Sequence, residues 1–482
     1  MNEPAAASFR DPAGCCFLLK DRVLRFLDAS ATETCEAFLR TPTAQRFVAS
    51  RQLVSSRRLS DTEIVSASAA TAVGQLDGTR SPPAAVYEHE RIPFPSYACE
   101  WPPEMLWEAG RLTLELARTA LADGFSLKDA TPYNILFRGS EPVFIDLPSF
   151  EPRVPGDPVW RPYAQFVRTF LLPLLANRNW GLRLADIFIT HRDGLEPAEV
   201  YRLCGVLERF QPRMLSLVSM PTWLSGKART RGRELYRQRT LSNPEKARFV
   251  LESLLRQLER GLESVKPASV NYSTWSEYMH SHSYSGSAFA AKEQFVREVL
   301  NEFKPARVLD AGANTGHFSA LAAQNGAEVV ALDLDPTCVG GIWRRAREQR
   351  LNILPLVVDI SRPSPALGWR NRECPSFLER ATGSFDGVLM LALLHHLLVS
   401  ERIPLAEILK LAADLTRSLL VIEFVAPEDE MFQELVRGRE HLHTGLNEQE
   451  FEQACARHFN IVRSLALPGT KRKLYALRRR DG

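Results

Sequence analysis

The segment DAGANTGHFS, Asp310 to Ser319, joins a short apolar run to the opening of a helix through a turn punctuated by Gly312 and Gly316. Glycine at those places lets the chain turn sharply and lets a ligand approach the backbone, because a Cβ would obstruct both. The helix that opens at His317 offers unpaired backbone N–H groups to an anion or polar ligand. Downstream, AEVVALDLDP puts Asp333 about 20 residues past the turn, where a carboxylate can accept hydrogen bonds from two ribose hydroxyls. A further run, ILPLVVDI, ends in Asp359. Glycines at a tight turn followed by spaced carboxylates make the chemistry of a cradle for a nucleoside-containing cofactor.

The elements that must carry these residues follow from the apolar runs themselves. Each carboxylate closes a run of strand length, and the intervals between runs each accommodate a helix, which implies parallel βαβ units with their polar ends on one edge. A fourth run, FDGVLMLALLHHL, begins at Phe385 and brings His395 and His396 to the same edge. A fifth, Leu419 to Phe424, carries Glu423. The stretch FNIVRSLALPGTKRKLYALRR reads as two strands around a turn at Pro468 and Gly469. The fold class is therefore α/β over this region.

These residues resemble the class I S-adenosylmethionine-dependent methyltransferases, whose first motif begins with an acidic residue before the first glycine, the place filled by Asp310. Asn314 stands where a GxGxxG turn has its middle glycine, and asparagine tolerates left-handed backbone angles. The resemblance covers about Ser287 to Arg480 and implies a Rossmann-like, mostly parallel seven-stranded sheet with a terminal antiparallel hairpin. It further implies that Asp310 and the backbone from Gly312 to Gly316 contact the methionine part of S-adenosyl-L-methionine, Asp333 the ribose and Asp359 the adenine amino group. Aspartate at a strand end is also a common helix cap or turn former, and for Asp359 the two readings are evenly balanced. Methyl transfer from a sulfonium depends mainly on positioning, and a base is needed only where the acceptor must shed a proton. His395 or His396 can be that base or a capping or core histidine; Glu423 can face the acceptor or anchor a loop.

The first half carries a second pattern. Pro103 to Asp123 reads as a well-buried helix, followed by LKDATPYNILF and PVFIDLPSF. This resembles the catalytic segment of kinases, with Asp129, Asn134 and Asp146 matching the acceptor-positioning and magnesium-binding places. Leu127 replaces the usual histidine, Leu147 and Pro148 follow Asp146, Lys20 is the only lysine before Lys128, and no glycine-rich loop precedes it. These departures favour a kinase-like domain that does not transfer phosphate over the alternative of a phosphotransferase or ATP-binding regulator. With RDPAGCCFLLKDRVLRF and YEHERIPFPSYACEW, the chain resembles a bacterial two-part family that includes nodulation-associated methyltransferases of the NoeA type. Between the parts lie a basic run (Lys227, Arg229, Arg231, Arg233, Arg237, Arg239) and a helix from Asn243 to Val265 striped by Phe249, Val250, Leu254, Leu255, Leu258 and Leu262. A Tyr-, His- and Ser-rich stretch with Tyr278, His280, His282 and Tyr284 follows, a candidate lid. The expected organisation is an α+β kinase-like, non-catalytic domain over 1–240, a linker helix and candidate lid over 241–286, and a methyltransferase domain over 287–482.

A chain of 482 residues exceeds the size of a single core, and 45% hydrophobic residues supply material for more than one. A net charge of +3 does not by itself point to nucleic acid. Eight cysteines show neither zinc-site nor disulfide-framework spacing, so reduced thiols and no metal are expected. No signal peptide opens the chain, and the run from Gly387 to Val399 is too short to span a bilayer, which leads to the expectation of a cytoplasmic protein without a membrane partner. A small-molecule or glycan acceptor is favoured through the resemblance, with protein or RNA also compatible; the oligomeric state is not readable.

Overall fold

The computed structural model describes residues 5–8, 11, 13–19, 22–64, 83–228, 240–268, 286–438 and 445–480. They fall into two compact units, one formed by 1–99, 103–267 and 366–374, the other by 100–102, 268–365 and 375–482. The expected lid residues Tyr278, His280, His282 and Tyr284, the basic residues from Arg229 to Arg239 and Lys20 lie outside the described residues.

In the first unit, β1 (Ala5–Ser8), β2 (Gly14–Leu19), β3 (Arg22–Leu27), β4 (Ser56–Arg58) and β5 (Ala85–His89) form an antiparallel sheet of order β1-β2-β3-β5-β4. Phe17, Leu24, Phe26 and Val86 meet in its core. Two short antiparallel pairs follow, β6 (Phe125–Leu127) with β9 (Phe150–Pro152) and β7 (Ile135–Arg138) with β8 (Glu141–Phe144). The helix Pro103–Ala120 is buried along Leu106, Ala109, Leu112, Leu116 and Ala120 and also at Leu114 and Ala117, as its apolar positions predict.

The helix Pro244–Ser264 departs from the expected stripe. It is part of the packing of the first unit, where Trp107 Nε1 donates to the Leu262 carbonyl at 3.0 Å. Its buried stripe is Ala247, Leu251, Leu255, Leu258 and Leu262, while Phe249 is 65% and Val250 41% exposed. At 100° per residue, 249 lies nearly half a turn and 250 roughly a quarter turn away from the 247–251–255 line, and the i, i+4 series around Leu255 decides the phase. Asn243 caps its start, its Oδ1 accepting from the N–H groups of Glu245 and Lys246 at 2.9 and 3.1 Å.

The second unit is built on seven strands, β10 (Arg307–Ala311), β11 (Glu328–Asp333), β12 (Ile353–Val357), β13 (Phe385–Met390), β14 (Thr416–Val425), β15 (Phe459–Ala466) and β16 (Arg472–Arg479). They form one sheet of order β12-β11-β10-β13-β14-β16-β15. From β10 to β14 all pairings are parallel, and β16 runs antiparallel to both its neighbours. The parallel strands read as nearly continuous apolar runs because helices cover both faces; Val308, Val329, Ala331, Ile353, Leu389 and Val421 form one core with Phe295, Val299 and Ile342 from the helices. The edge strand β15 shows mostly exposed or half-exposed positions, and its Arg463 pairs with Glu298 and Glu302 at 3.0 and 2.8 Å. Such charge on an edge discourages further strand pairing.

Strand order reverses between β10 and β13, where an open α/β sheet forms a crevice beyond its carboxyl ends. The fourth apolar run does not stay extended: β13 stops at Met390, Ala392 takes φ of 53°, and the run closes in a wide helical turn at His396–Ser400. Among the described residues, no helix is long and apolar enough to cross a membrane.

Candidate cofactor and acceptor site

The turn after β10 has the backbone its composition predicts. Gly312, Asn314 and Gly316 have φ of 75°, 49° and 77°, so the middle position is left-handed although it is not glycine. The N–H groups of Gly312 and Ala313 donate to the Leu332 carbonyl at 2.9 and 2.8 Å, tying the turn to β11. The two glycines are needed for different reasons. A Cβ on Gly316 would lie 2.7 Å from Ile342 Cγ1, so this residue permits close helix packing, while a Cβ on Gly312 would lie 3.3 Å from Leu393 Cδ1, on the crevice side.

Asp310, Asp333 and Asp359 come from three adjacent strands, placed at the carboxyl ends of β10 and β11 and two residues beyond β12. Asp310 is 3% exposed and its Oδ2 accepts from Ser319 Oγ at 2.5 Å. Burial, reinforced by the neighbouring Asp333, raises its pKa to about 6, with the Ser319 hydrogen bond and Lys292 opposing. Asp333 accepts from Asn314 N at 2.8 Å through Oδ2 and from Asp335 N at 2.9 Å through Oδ1. Burial pushes its carboxyl upward against those hydrogen bonds. Each carboxylate oxygen has more than one acceptor site, so both retain capacity for ligand hydroxyls.

Asp359 is engaged locally. Its Oδ1 accepts from the backbone and hydroxyl of Ser361 at 2.9 and 2.5 Å, and its Oδ2 from Arg362 Nε at 3.2 Å. Burial opposes its charge, but these bonds hold its carboxyl below the ordinary value. The turn-forming reading of Asp359 thus has direct geometric support.

The segment following β13 brings the two histidines together, with ring centroids 4.2 Å apart. His395 is wholly buried, and neither Nδ1 nor Nε2 has a hydrogen-bond partner. Burial first, then His396, Arg472 and Lys292, push its pKa well below the ordinary imidazole value; burial and Arg472 lower that of His396 as well. Both rings are therefore neutral near pH 7, competent to accept a proton.

Glu423, on β14, is fully buried and forms an ion pair with Lys292 of the helix Gly286–Phe303 at 2.6 Å. Arg472, at the start of β16, is 3.6 Å from Glu423 and bonded to Asp429 through two nitrogens at 2.9 and 3.0 Å. Lys292, Arg472 and Asp429 have no motif to announce them; a lone lysine in the apolar face of a helix was the available signal.

In the first unit, Asp146 forms an ion pair with Arg25 of β3 at 3.0 Å, and Arg25 Nε donates to His89 Nε2 at 3.1 Å. Asp129 accepts from Gln165 Nε2 at 3.2 Å. Burial pushes Asp146 upward while Arg25 opposes it, and Asp129 is close enough to add to the rise. An arginine inside the apolar run RVLRF was the sequence signal for this partner.

A family model described as a methyltransferase domain matches residues 284–467. The nodulation protein NoeA of Rhizobium meliloti (strain 1021) is 32% identical over 478 residues, spanning 99% of this chain and 96% of that protein. Among solved structures, the N-methyltransferase NodS from Bradyrhizobium japonicum WM9 is 12% identical and aligns over 41% of this chain and 99% of its own, with a TM-score of 0.31. The magnesium protoporphyrin IX methyltransferase of Synechocystis PCC 6803 with bound S-adenosylhomocysteine is 18% identical over 43% of this chain and 93% of its own, with a TM-score of 0.30.

Proposed function

The chain belongs to the family of the nodulation protein NoeA and is an S-adenosylmethionine-dependent methyltransferase, and from that premise we propose how its own residues serve the reaction and which acceptor it modifies. The observation that carries the site assignment is the set of buried or half-buried carboxylates on adjacent strand ends beside a left-handed turn in which a Cβ at Gly312 or Gly316 would crowd its neighbours. A cofactor with an ammonium, a ribose and an adenine suits this set: Asp310 would hold the ammonium, the backbone of 312–316 would lie along the methionine part, Asp333 would accept from the ribose hydroxyls, and Asp359 would reach the adenine amino group. When bound, the sulfonium supplies an activated methyl group whose leaving group is a neutral thioether.

The protein's part is then to orient, to exclude water and to manage one proton. His395, or His396 with its ring tilted against it, takes the acceptor's proton as a neutral imidazole. A hydroxyl or amine on a small molecule or glycan is the acceptor we favour. The described N-terminal unit recognises or presents that acceptor. A phosphotransferase role for it is less well supported, because the Asp146 carboxylate that would hold a divalent ion is paired with Arg25. Eight buried free thiols favour a reducing compartment, and we place the protein in the cytoplasm.

The test is calorimetry with S-adenosylhomocysteine on the full chain and on Asp333→Ala. A loss of roughly 1–3 kcal/mol of binding in the variant supports the ribose assignment; unchanged affinity removes it. Incubation with methyl-labelled cofactor and fractionated bacterial extract identifies the acceptor class.

A further inference from the structure

We propose that Glu423 is a positioning residue for the acceptor side: its carboxylate fixes the backbone of Ala392 and thereby the placement of His395. The inference rests on His395 being an acceptor-side group and concerns what holds it there. Glu423 Oε2 accepts both from Lys292 Nζ at 2.6 Å and from the Ala392 N–H at 3.0 Å. Ala392 has φ of 53°, a conformation that costs an L-residue about 1 kcal/mol or more. Strain of this kind persists only where neighbours over-determine it. A charged carboxylate on the strained residue's own N–H does so, since such bonds are roughly twice as strong as neutral ones. Lys292, 3% exposed, and Arg472, 4% exposed, keep that carboxylate charged in a buried place.

The clamped residue leads directly into the turn contact and the buried histidine. Leu393 follows it and packs against the Gly312 turn. Three residues on, His395 is buried with both ring nitrogens unpartnered, an arrangement that costs free energy unless a ligand group completes it. A simple ion pair tying the helix Gly286–Phe303 to β14 would account for Lys292 and Glu423, but not for the second bond to the single left-handed backbone position of this segment.

The experiment uses the full chain labelled with 15N-histidine and reads the ring nitrogens of His395 and His396 by long-range 1H–15N correlation. In Glu423→Gln the His395 signals are expected to shift by several linewidths or broaden, because the clamp loses its charge. Adding Ala392→Gly to that variant is expected to return them to the wild-type positions, since glycine adopts positive φ unaided. A role limited to stability would show no such rescue. Ala392→Val, with Glu423 intact, reproduces the disturbance and covers the case in which Glu423→Gln does not fold. The proposal is overturned if a folded Glu423→Gln or Ala392→Val protein keeps wild-type His395 signals, or if Ala392→Gly relieves nothing. Affinity for S-adenosylhomocysteine, measured on the same samples, is expected to stay within about three-fold of wild type; absence of binding by the wild type would sink the cofactor reading and leave the clamp to be judged by the spectra alone.

Discussion

Replacing Asp310 by Asn should stabilise the ligand-free sheet while weakening the cofactor site, with a pH dependence whose sign is fixed by the structure. Asp310 is 3% exposed, and its pKa is raised from 3.8 to about 6. Because the folded value is the higher one, the native state binds more protons than the unfolded state between these limits. Stability contributed by this residue therefore falls as pH rises from about 4 to 6, and stays constant above that, where both states are ionised. At 1.36 kcal/mol per unit, the penalty in the ligand-free protein is about 3 kcal/mol. Asparagine can accept the Ser319 hydroxyl bond in the same place but does not ionise, so it escapes the penalty. Native-state hydrogen exchange of the β10, β11 and β13 amides isolates this sheet from the rest of the chain. The ratio of wild-type to variant exchange rates should grow on the order of 100-fold between pH 4 and pH 7. A ratio constant within about two-fold over that interval would refute the argument, since it would mean that no burial penalty resides at residue 310. With ligand the order reverses: an ammonium beside Asp310 favours its ionised form, so wild-type affinity for S-adenosylhomocysteine should rise through pH 6 and the variant's should not.

Gly316→Ala should destabilise the second unit by about 1–3 kcal/mol, since φ of 77° and a Cβ 2.7 Å from Ile342 Cγ1 both oppose alanine; thermal unfolding monitors it, and an unchanged transition would contradict the close packing. Arg25→Met should leave the half-buried Asp146 without its ion-pair partner and cost the first unit about 1–3 kcal/mol. Calorimetry with S-adenosylhomocysteine should find that variant unaltered, whereas a matched loss of binding would show that Arg25 acts on the cofactor site. Asn243→Ala should cost about 1 kcal/mol by removing the cap at the start of the helix Pro244–Ser264, detectable as faster exchange in its first turn.

Much of the second unit is legible in the sequence because its signals are local. Apolar runs closing at Asp310 and Asp333, glycines at 312 and 316 and a proline-glycine turn at 468–469 each specify backbone within a few residues. Asn314 tolerates its left-handed position for the same local reason. The helix Pro244–Ser264 shows where this fails: several apolar residues compete for the stripe, and a shift of one residue, 100° of arc, exchanges Val250 for Leu251.

The sequence by itself determined the order of strands and helices, the glycine turn and the carboxylates that close successive strands. These follow from steric limits on φ and from apolar periodicity, which act over a few residues. Only the tertiary structure decided that Lys292 meets Glu423 131 positions away, that Arg25 meets Asp146, and that His395 is wholly buried while Asp359 is engaged by its own turn. Charge pairing and desolvation depend on distance in space, and no residue type announces which distant strand will lie beside it.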